Sequence, residues 1–583
     1  MAVTIQGKPK VGGSFLLERH SAEDMLIPEA FSDELKMFAQ TTQQFIEREI
    51  KPVFAELEAL SYELSVAKMR KAGEQGLLAI DVPEAYGGLA SSKTASALVA
   101  EKFAGAGSFN VTFNAHTCIG TLPLVYFGTA AQKEKYLGKL ATGEWIAAYC
   151  LTEPGSGSDS RAAKTKAVLN EAGTHYVLNG TKMWISNAGF ADLFTIFAQI
   201  DGDKFTAFLV ERNTPGLSFG AEEKKMGIKG SSTRQVILEN ALVPKDNVLG
   251  EIGQGHKIAF GVLNLGRLKL AAGGVGGAKE MLRYGVRYAL EREQFGQAIA
   301  NFGLIQEKIG KMAADTFALE SAIYRLTGDL DEALAGKDDP AAQLAAMDEY
   351  VIEYSFIKVF GSEILDDTID ETLQIFGGNG FSAEYPIELA YRNSRINRIF
   401  EGTNEINRLL TSGQLLKRAM KGKLDIISAA QAALNGEPVT TVEGAGNLQD
   451  AVVTIENLKQ ALLLTAGSAA MGYAQQLESE QEIMARAADI IGLIYLAESA
   501  VLRAQRLTGT PKGDKAARLA RIYTFEAADK ARQLSVACLR RIPNGKALLP
   551  KLSAYLADHH VDTIALRREA AKDSYEAGGY PLA

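Results

Sequence analysis

The apolar residues of this chain change their spacing twice, from helical to alternating and back to helical, and that order restricts the possible folds more than any single motif does. Between Ser32 and Gly143 they fall at helical intervals, as in Leu35, Phe38, Phe45 and Ile46, with a loop at Pro83-Glu84-Ala85-Tyr86-Gly87-Gly88. This predicts an all-α first domain over residues 30–148. From Ala162 to Gly250 the period is two. Asn179-Gly180, between Tyr176-Val177-Leu178 and Met183-Trp184-Ile185, predicts a hairpin, as does Asp201-Gly202 between Phe194-Thr195-Ile196-Phe197 and Phe205-Thr206-Ala207-Phe208. Short strands with turns at regular spacing imply a compact antiparallel sheet or barrel, here expected as a β-barrel domain over residues 149–255. After Gly255 the helical period returns over 256–292, 306–335 and 341–376, with a shorter stretch beyond Thr403, which predicts an up-and-down bundle over 256–420. Residues 421–450, with Gly436, Pro438, Gly444 and Gly446, read as a linker. Helical periods at 451–477, 480–506, 514–541 and 548–568 then predict an extra C-terminal helical domain, 450–583. The expected class is therefore multidomain α+β.

An α, then β, then α order is not a βαβ alternation, so it argues against a doubly wound parallel sheet. That decides how Gly273-Gly274-Val275-Gly276-Gly277 is read. No strand precedes these glycines and the spacing of a dinucleotide fingerprint fails, so they indicate close helix packing. At 583 residues the chain is too long for a single core, and its 47% hydrophobic content is that of a packed protein. The net charge of −8, with both signs interspersed, argues against a nucleic-acid partner. Cys118, Cys150 and Cys538 are far apart, and the six histidines form no HxxxH or HExxH array, so no metal site is indicated. Residues 1–20 contain Lys8, Lys10 and Arg19, and Ser14-Phe15-Leu16-Leu17 is too short for a signal h-region. No run approaches about 18 unbroken apolar residues. The expectation is a protein that is not exported, cytoplasmic if the chain is unprocessed, and at most peripheral to a membrane.

Near residue 400 the chain reads Arg398-Ile399-Phe400-Glu401-Gly402-Thr403-Asn404-Glu405, a carboxylate between an aromatic residue and a glycine. Alone it is compatible with an ordinary capped helix start. It is accompanied, in order along the chain, by Leu151-Thr152-Glu153-Pro154-Gly155-Ser156-Gly157-Ser158-Asp159, Trp184-Ile185-Ser186-Asn187, Arg292-Glu293-Gln294-Phe295-Gly296 and Gln374-Ile375-Phe376-Gly377-Gly378-Asn379-Gly380. As an ordered set these blocks closely resemble the acyl-CoA dehydrogenase family over roughly residues 31–415, and the remainder resembles the long form of that family found in very-long-chain members.

The resemblance implies FAD in a cleft between the β domain and the bundle, partly completed by a neighbouring subunit. Tyr149, Leu151, Thr152, Gly157 and Ser158 would form one loop of the cofactor site, where glycines let the backbone approach a ligand and Thr152 and Ser158 offer hydroxyls. The same loop also reads as an ordinary Pro/Gly/Ser turn between domains. By the family pattern Trp184, Ile185 and Ser186 border the flavin ring. Arg292, Phe295 and Gln306 face the pyrophosphate and adenine, and Gln374, Gly377, Gly378, Thr403 and Glu405 close the site. Arg292 is equally compatible with a solvated helix charge. The implied reaction is α,β-dehydrogenation of an acyl-CoA thioester, with Glu401 as the base and Ser158, Asn264, Arg267, Phe400 and Gly402 against the substrate. Some members carry the base on a bundle helix, at the position matching Asn264-Leu265-Gly266-Arg267; no carboxylate stands there.

Long acyl chains are favoured by the C-terminal extension and put in question by Asn114, which stands where a glycine is expected. Electron-transfer flavoprotein is the implied acceptor, and a homodimer the implied assembly, with the extension replacing a second pair of subunits. Its apolar stripe Ile483, Ile490, Ile491 and Ile494 must be buried somewhere. Lys512, Lys515, Arg518, Arg521, Arg540 and Arg541 could attract an anionic membrane or form a solvated face. An acyl-CoA oxidase and a non-catalytic scaffold on the same fold are the alternatives.

Overall fold

The computed structural model describes residues 10–583, so residues 1–9, including Lys8 of the N-terminal stretch, lie outside it. The first domain contains helices α1 (Asp33–Phe45), α2 (Tyr62–Glu74), α3 (Lys93–Phe103), α4 (Phe109–Asn114) and α5 (Ala130–Thr142). Ser32, Ser61, Ser92 and Thr129 cap α1, α2, α3 and α5 by accepting from a first-turn N–H.

The β domain has strands β1 (Ala147–Cys150), β2 (Lys166–Leu169), β3 (His175–Ser186), β4 (Leu193–Ile200), β5 (Lys204–Glu211), β6 (Leu217–Glu222), β7 (Thr233–Pro244) and β8 (Val248–Leu249). Their order is β6-β7-β3-β2-β4-β5-β8, with β1 beside β4. Two expectations need correction. The sheet is open rather than a closed barrel, since β6 and β8 are its unjoined ends. It is also not wholly antiparallel, because β1 and β2 both run parallel to β4. Asp201-Gly202 does turn a hairpin between β4 and β5, with both residues at positive φ. Asn179-Gly180 does not. It lies inside the continuous strand β3, where the pairing with β7 shifts register at a bulge. The glycine there serves close approach, since a Cβ on Gly180 would come within 2.4 Å of Thr165 Oγ1.

The bundle is built from α6 (Gly255–Glu291), α7 (Gly303–Leu334), α8 (Val351–Phe376) and α9 (Asn404–Met420). The stretch 341–376 is two helices, Pro340–Asp348 and α8. By composition α6 is long and apolar enough to cross a membrane, but it is the buried central helix of this bundle, packed along α8 and α3. Its glycines behave as expected of close packing. A Cβ on Gly276 would lie 1.9 Å from the Glu101 carbonyl oxygen, and one on Gly274 2.7 Å from that of Gly361.

The extension comprises α10 (Ile426–Asn435), α11 (Gln449–Tyr473), α12 (Gln481–Arg506), α13 (Gly513–Arg541) and α14 (Thr563–Ala577). The expected linker 421–450 is thus partly helical, and its Leu424, Ala433 and Leu448 are buried. The expected helix 548–568 is likewise broken, into Leu549–Tyr555 and α14. One continuous apolar core runs from the bundle through the extension, and a second joins the sheet to the N-terminal helices. Ile483, Ile490, Ile491 and Ile494 are buried within the chain itself. The basic residues flanking them are largely paired: Lys515 and Arg518 with Asp573, Arg521 with Asp450, and Arg541 with Glu480. The N-terminal segment straps the two helical layers together. Phe15 packs edge-on against Tyr495, Lys10 pairs with Asp329, and Arg503 of α12 binds both Glu29 and Glu320.

Candidate active site

Glu401 sits in the loop between the turn Arg395–Arg398 and α9, at φ +57°. A non-glycine residue holds that conformation only where its surroundings enforce it, and here three helices do. Thr403 caps α9, accepting from Ile406 N–H. Asn407 Nδ2, in the first turn of α9, donates to the carbonyls of Glu401, Gly402 and Thr403. From α6, Arg267 Nε donates to the Glu401 carbonyl at 3.2 Å, and from α8, Lys358 Nζ donates to the Gly402 carbonyl and to Asn404 Oδ1, both at 2.8 Å. Arg267 is itself oriented by Asn264 Oδ1, 2.8 Å from Nη1, and Asn264 donates to Asp348. The backbone is pinned while the side chain stays unengaged: buried Glu401 Oε2 has no hydrogen-bond partner, and the Glu401 N–H donates to no group among the described residues.

Burial pushes the Glu401 carboxyl up to about 7, against the opposing pull of Arg267 and Lys358. Burial also brings the Lys358 ammonium down to about 7. The carboxylate faces Gly266, where a Cβ would lie 2.8 Å from Oε2. Gly266 therefore leaves the carboxylate room, and no motif pointed to its role or to those of Lys358 and Asn407. The cavity in front of Glu401 has a volume of about 520 Å³. One wall is a single stripe of α6, from Gly266 through Leu270, Gly273 and Gly277 to Glu280; the facing wall carries Asn110, Val111, Asn114 and Cys118. The α6 glycines thus open space for a ligand as well as packing helices. Asn114 lies on the wall, its Nδ2 donating to the carbonyl and Oδ1 of Asn110, and the cavity continues past it to Gly105, Phe54 and Lys51.

Phe400, Ser186 and Ile228 line the same cavity. Beside Ser186, Trp184 is held at φ +61° and is 53% exposed, while the neighbouring Ile185 is buried. The loop after β1 is tied down by Met183 N–H on the Thr152 carbonyl and by the buried Lys182–Glu153 pair. Tyr149 and Leu151 are packed in the core; Gly157 and Ser158 lie at the surface. Glu405 sits in the first turn of α9. The remaining residues form a separate group. Arg292 follows the end of α6, Phe295 is 94% exposed at the tip of the next turn, and Gln306 begins α7 by donating to the Ala300 carbonyl. Gln374, Gly377 and Gly378 end α8 nearby, where Asn379 donates to Tyr288 of α6. Arg292 is about 39 Å from Gly266 along α6 at 1.5 Å per residue.

These residues suit FAD in two respects. The exposed Trp184 face beside the cavity fits a flat aromatic ring, and nothing stands where a Cβ would project from Gly155, Gly157, Gly377 or Gly378, so a ligand can reach those backbones.

Four stretches match family descriptions: residues 32–144, 148–241 and 253–416 match the N-terminal, middle and C-terminal domains of acyl-CoA dehydrogenases, and residues 457–555 match a further acyl-CoA dehydrogenase C-terminal domain. A probable acyl-CoA dehydrogenase of Bacillus subtilis is 48% identical over 584 residues, 98% of each chain. The mitochondrial very long-chain specific acyl-CoA dehydrogenase of Homo sapiens is 43% identical over 352 residues, 58% of this chain and 52% of its own length. The crystal structure of an acyl-CoA dehydrogenase complexed with FAD from Bacillus anthracis superposes with a TM-score of 0.95 at 47% identity, covering 98% of this chain and all of that one. With the fold, the cavity and these relatives in agreement, the chain belongs to the acyl-CoA dehydrogenase family of FAD-dependent oxidoreductases and acts on acyl-CoA.

Proposed function

We propose that the chain carries out the α,β-dehydrogenation of fatty acyl-CoA to trans-2-enoyl-CoA in fatty acid β-oxidation, with Glu401 as the α-proton base and electron-transfer flavoprotein as the electron acceptor. The observation that carries this reading is the Glu401 carboxylate, pushed up to about 7 by burial and left without a partner at the head of the cavity. The α-proton of a thioester is weakly acidic, so a useful base needs a proton affinity well above that of an ordinary carboxylate. Burial of the carboxylate provides it. Enolate-like charge on the thioester carbonyl calls for fixed donors, and the Glu401 N–H is unengaged and held still by the contacts on its loop. Bound FAD would accept the β-hydrogen as hydride. Gly266 keeps the carboxylate free to swing toward the α-carbon, and Arg267 and Lys358 stabilise its ionised form.

Two further parts of the reading have support. The cavity's extension past Asn114 favours long acyl chains. Arg292 stands about 39 Å along α6 from Gly266 at 1.5 Å per residue, and Phe295 beside it is exposed, which favours a homodimer in which this second group completes the site of the neighbouring subunit. The test is anaerobic addition of acyl-CoA to the purified yellow protein. Bleaching of the flavin band, followed by reduction of added electron-transfer flavoprotein, is expected. Oxygen consumption without that carrier would identify an oxidase, and an unbleached flavin would leave a scaffold.

A further inference from the structure

The main cavity does not end in closed protein. A second cavity of about 500 Å³ shares Lys51, Ala104, Gly105 and Glu280 with it, so these four residues are the partition between the two. The partition is thin at Gly105, where a Cβ would sit 3.3 Å from Glu280 Oε2 and 3.9 Å from Ile46, with no other atom beyond its chain neighbours within 4 Å. The second cavity is ionic: Glu47, Glu101, Lys102, Lys279 and Arg283 border it, and Lys279 pairs with both Glu101 and Glu320. Its outer wall is the end of the chain itself. Gly578, Gly579 and Tyr580 line it, and this tail is locked down by Tyr580 Oη donating to Glu320 at 2.7 Å, by buried Leu582, and by Lys512 Nζ on the Leu582 carbonyl. A methyl group entering a space bordered by so many ionised side chains gains less than it does in the main cavity, whereas a hydroxyl finds polar partners there.

Glu280 lies about 21 Å beyond Gly266 on α6 at 1.5 Å per residue. With C–C bonds of about 1.5 Å in a zigzag, that distance takes roughly sixteen bonds past the α-carbon, placing the end of a chain of about eighteen carbons at the partition. Before that point Val111, Leu365 and Ile369 line the cavity around Gly274 and Gly277, and the Asn110 and Asn114 amides on its wall are bonded to one another. We propose that Gly105 and Glu280 form a hatch through which the acyl terminus reaches the polar chamber, so that this enzyme accepts acyl-CoAs of about eighteen carbons whose chains end in a hydroxyl. The assignment rests on the acyl-CoA dehydrogenase reading of the main cavity.

The experiment uses the FAD-loaded Glu401→Gln protein under anaerobic conditions, where turnover is slowed by about 10²-fold or more, and reads binding from the perturbation of the flavin absorbance. Four ligands are compared: dodecanoyl-CoA, 12-hydroxydodecanoyl-CoA, octadecanoyl-CoA and 18-hydroxyoctadecanoyl-CoA. A twelve-carbon terminus stops against the apolar wall, where an unpaired hydroxyl should weaken binding about tenfold or more. At eighteen carbons the hydroxyl should change Kd by less than about threefold, because it keeps polar company. Adding Gly105→Leu should fill the hatch and bring the tenfold penalty to the longer ligand. Glu280→Leu, which keeps the glycine backbone untouched, should impose the same penalty by making the partition apolar. An equal hydroxyl penalty at both lengths, or none at either, overturns the hatch. So does a long-ligand penalty unmoved by both substitutions. Turnover of dodecanoyl-CoA by the wild-type holoenzyme is measured alongside; its absence, with the binding pattern intact, would count against the dehydrogenase reading and leave the hatch standing.

Discussion

Replacing Glu401 by Gln should abolish the proton transfer and at the same time stabilise the protein at neutral pH. Burial lifts the carboxyl from an ordinary value near 4.5 to about 7. At 1.36 kcal/mol per tenfold in proton affinity, that displacement is worth about 3 kcal/mol. A carboxyl whose folded pKa is raised binds its proton more tightly in the native state than in the unfolded chain. Its penalty on stability is therefore absent below about pH 4.5, grows as the pH rises toward 7 and is complete above. Glu401→Gln carries no such penalty, so its midpoint in a thermal melt should exceed that of the wild type at pH 8 and converge with it near pH 5. In the wild type log kcat/KM should climb with unit slope up to about pH 7 and then level, because the base works only when ionised. The variant should be flat and lower by about 10²–10⁴-fold. Stopped-flow bleaching of the flavin by a saturated acyl-CoA measures the activity arm, and calorimetry the stability arm. A variant that keeps turnover within a factor of a few of the wild type would refute the assignment of the base, and equal melting points at pH 8 would refute the buried charged carboxylate.

Lys358, which lies close enough to stabilise ionised Glu401, sets where that rise occurs. Lys358→Met should move the activity limb to higher pH, and since the two groups titrate together near 7 the profile belongs to the pair; an unmoved limb would separate them. Asn114→Gly should raise kcat/KM for acyl chains long enough to pass the amide relative to shorter ones, by up to about 0.8 kcal/mol for each methylene newly buried, and an unchanged length profile would take Asn114 off the wall. Arg503→Met strands Glu29 and takes one partner from Glu320, which keeps Lys279 and Tyr580, and should cost about 3 kcal/mol in denaturant melts, whereas a loss below about 1 kcal/mol would show that water replaces the guanidinium. Light scattering on the full chain should report a dimer. Truncation near Gly444 should bare the core beneath α12 and cause aggregation, and a truncated protein that stays soluble with unchanged subunit number would show that the extension is dispensable for assembly.

The parts of this molecule that were legible in its sequence are those where local chemistry decides the outcome. The change of hydrophobic period located the layers because burial on one face of a helix or strand leaves its mark on every turn. Asp201-Gly202 and Asn179-Gly180 show where that stops. Both carry the same hairpin signal, yet only the first turns, because β3 has a partner in β7 that is as long as itself and can pair on both sides of the glycine. Whether such a partner exists is a long-range fact absent from any short window. The closed barrel failed for a similar reason: alternation marks strands, and only pairing marks closure. The stretch 421–450 carries linker-like glycines and a proline, yet these flank α10, whose buried face meets the rest of the extension.

The site divides along the same line. Glu401 and the blocks expected to face the flavin stand out in the sequence because the proposed chemistry calls for particular residue types in a fixed local order. The groups that surround the carboxylate and pin its loop, Gly266 on α6, Lys358 on α8 and Asn407 on α9, come from three helices and act through burial and backbone contact. None has a signature of its own. Gly266 in particular stands near a glycine-rich stretch of α6 that includes helix-packing members such as Gly276, and the sequence pattern is the same for both tasks. A glycine that admits a neighbouring helix is distinguished from one that admits a substrate only by what stands opposite: for Gly276 a carbonyl oxygen of α3, for Gly266 the carboxylate of Glu401. The run along α6 thus joins α6 to α3 and α8 and, on an adjoining strip of the same helix, hollows out the wall along which an acyl chain can lie.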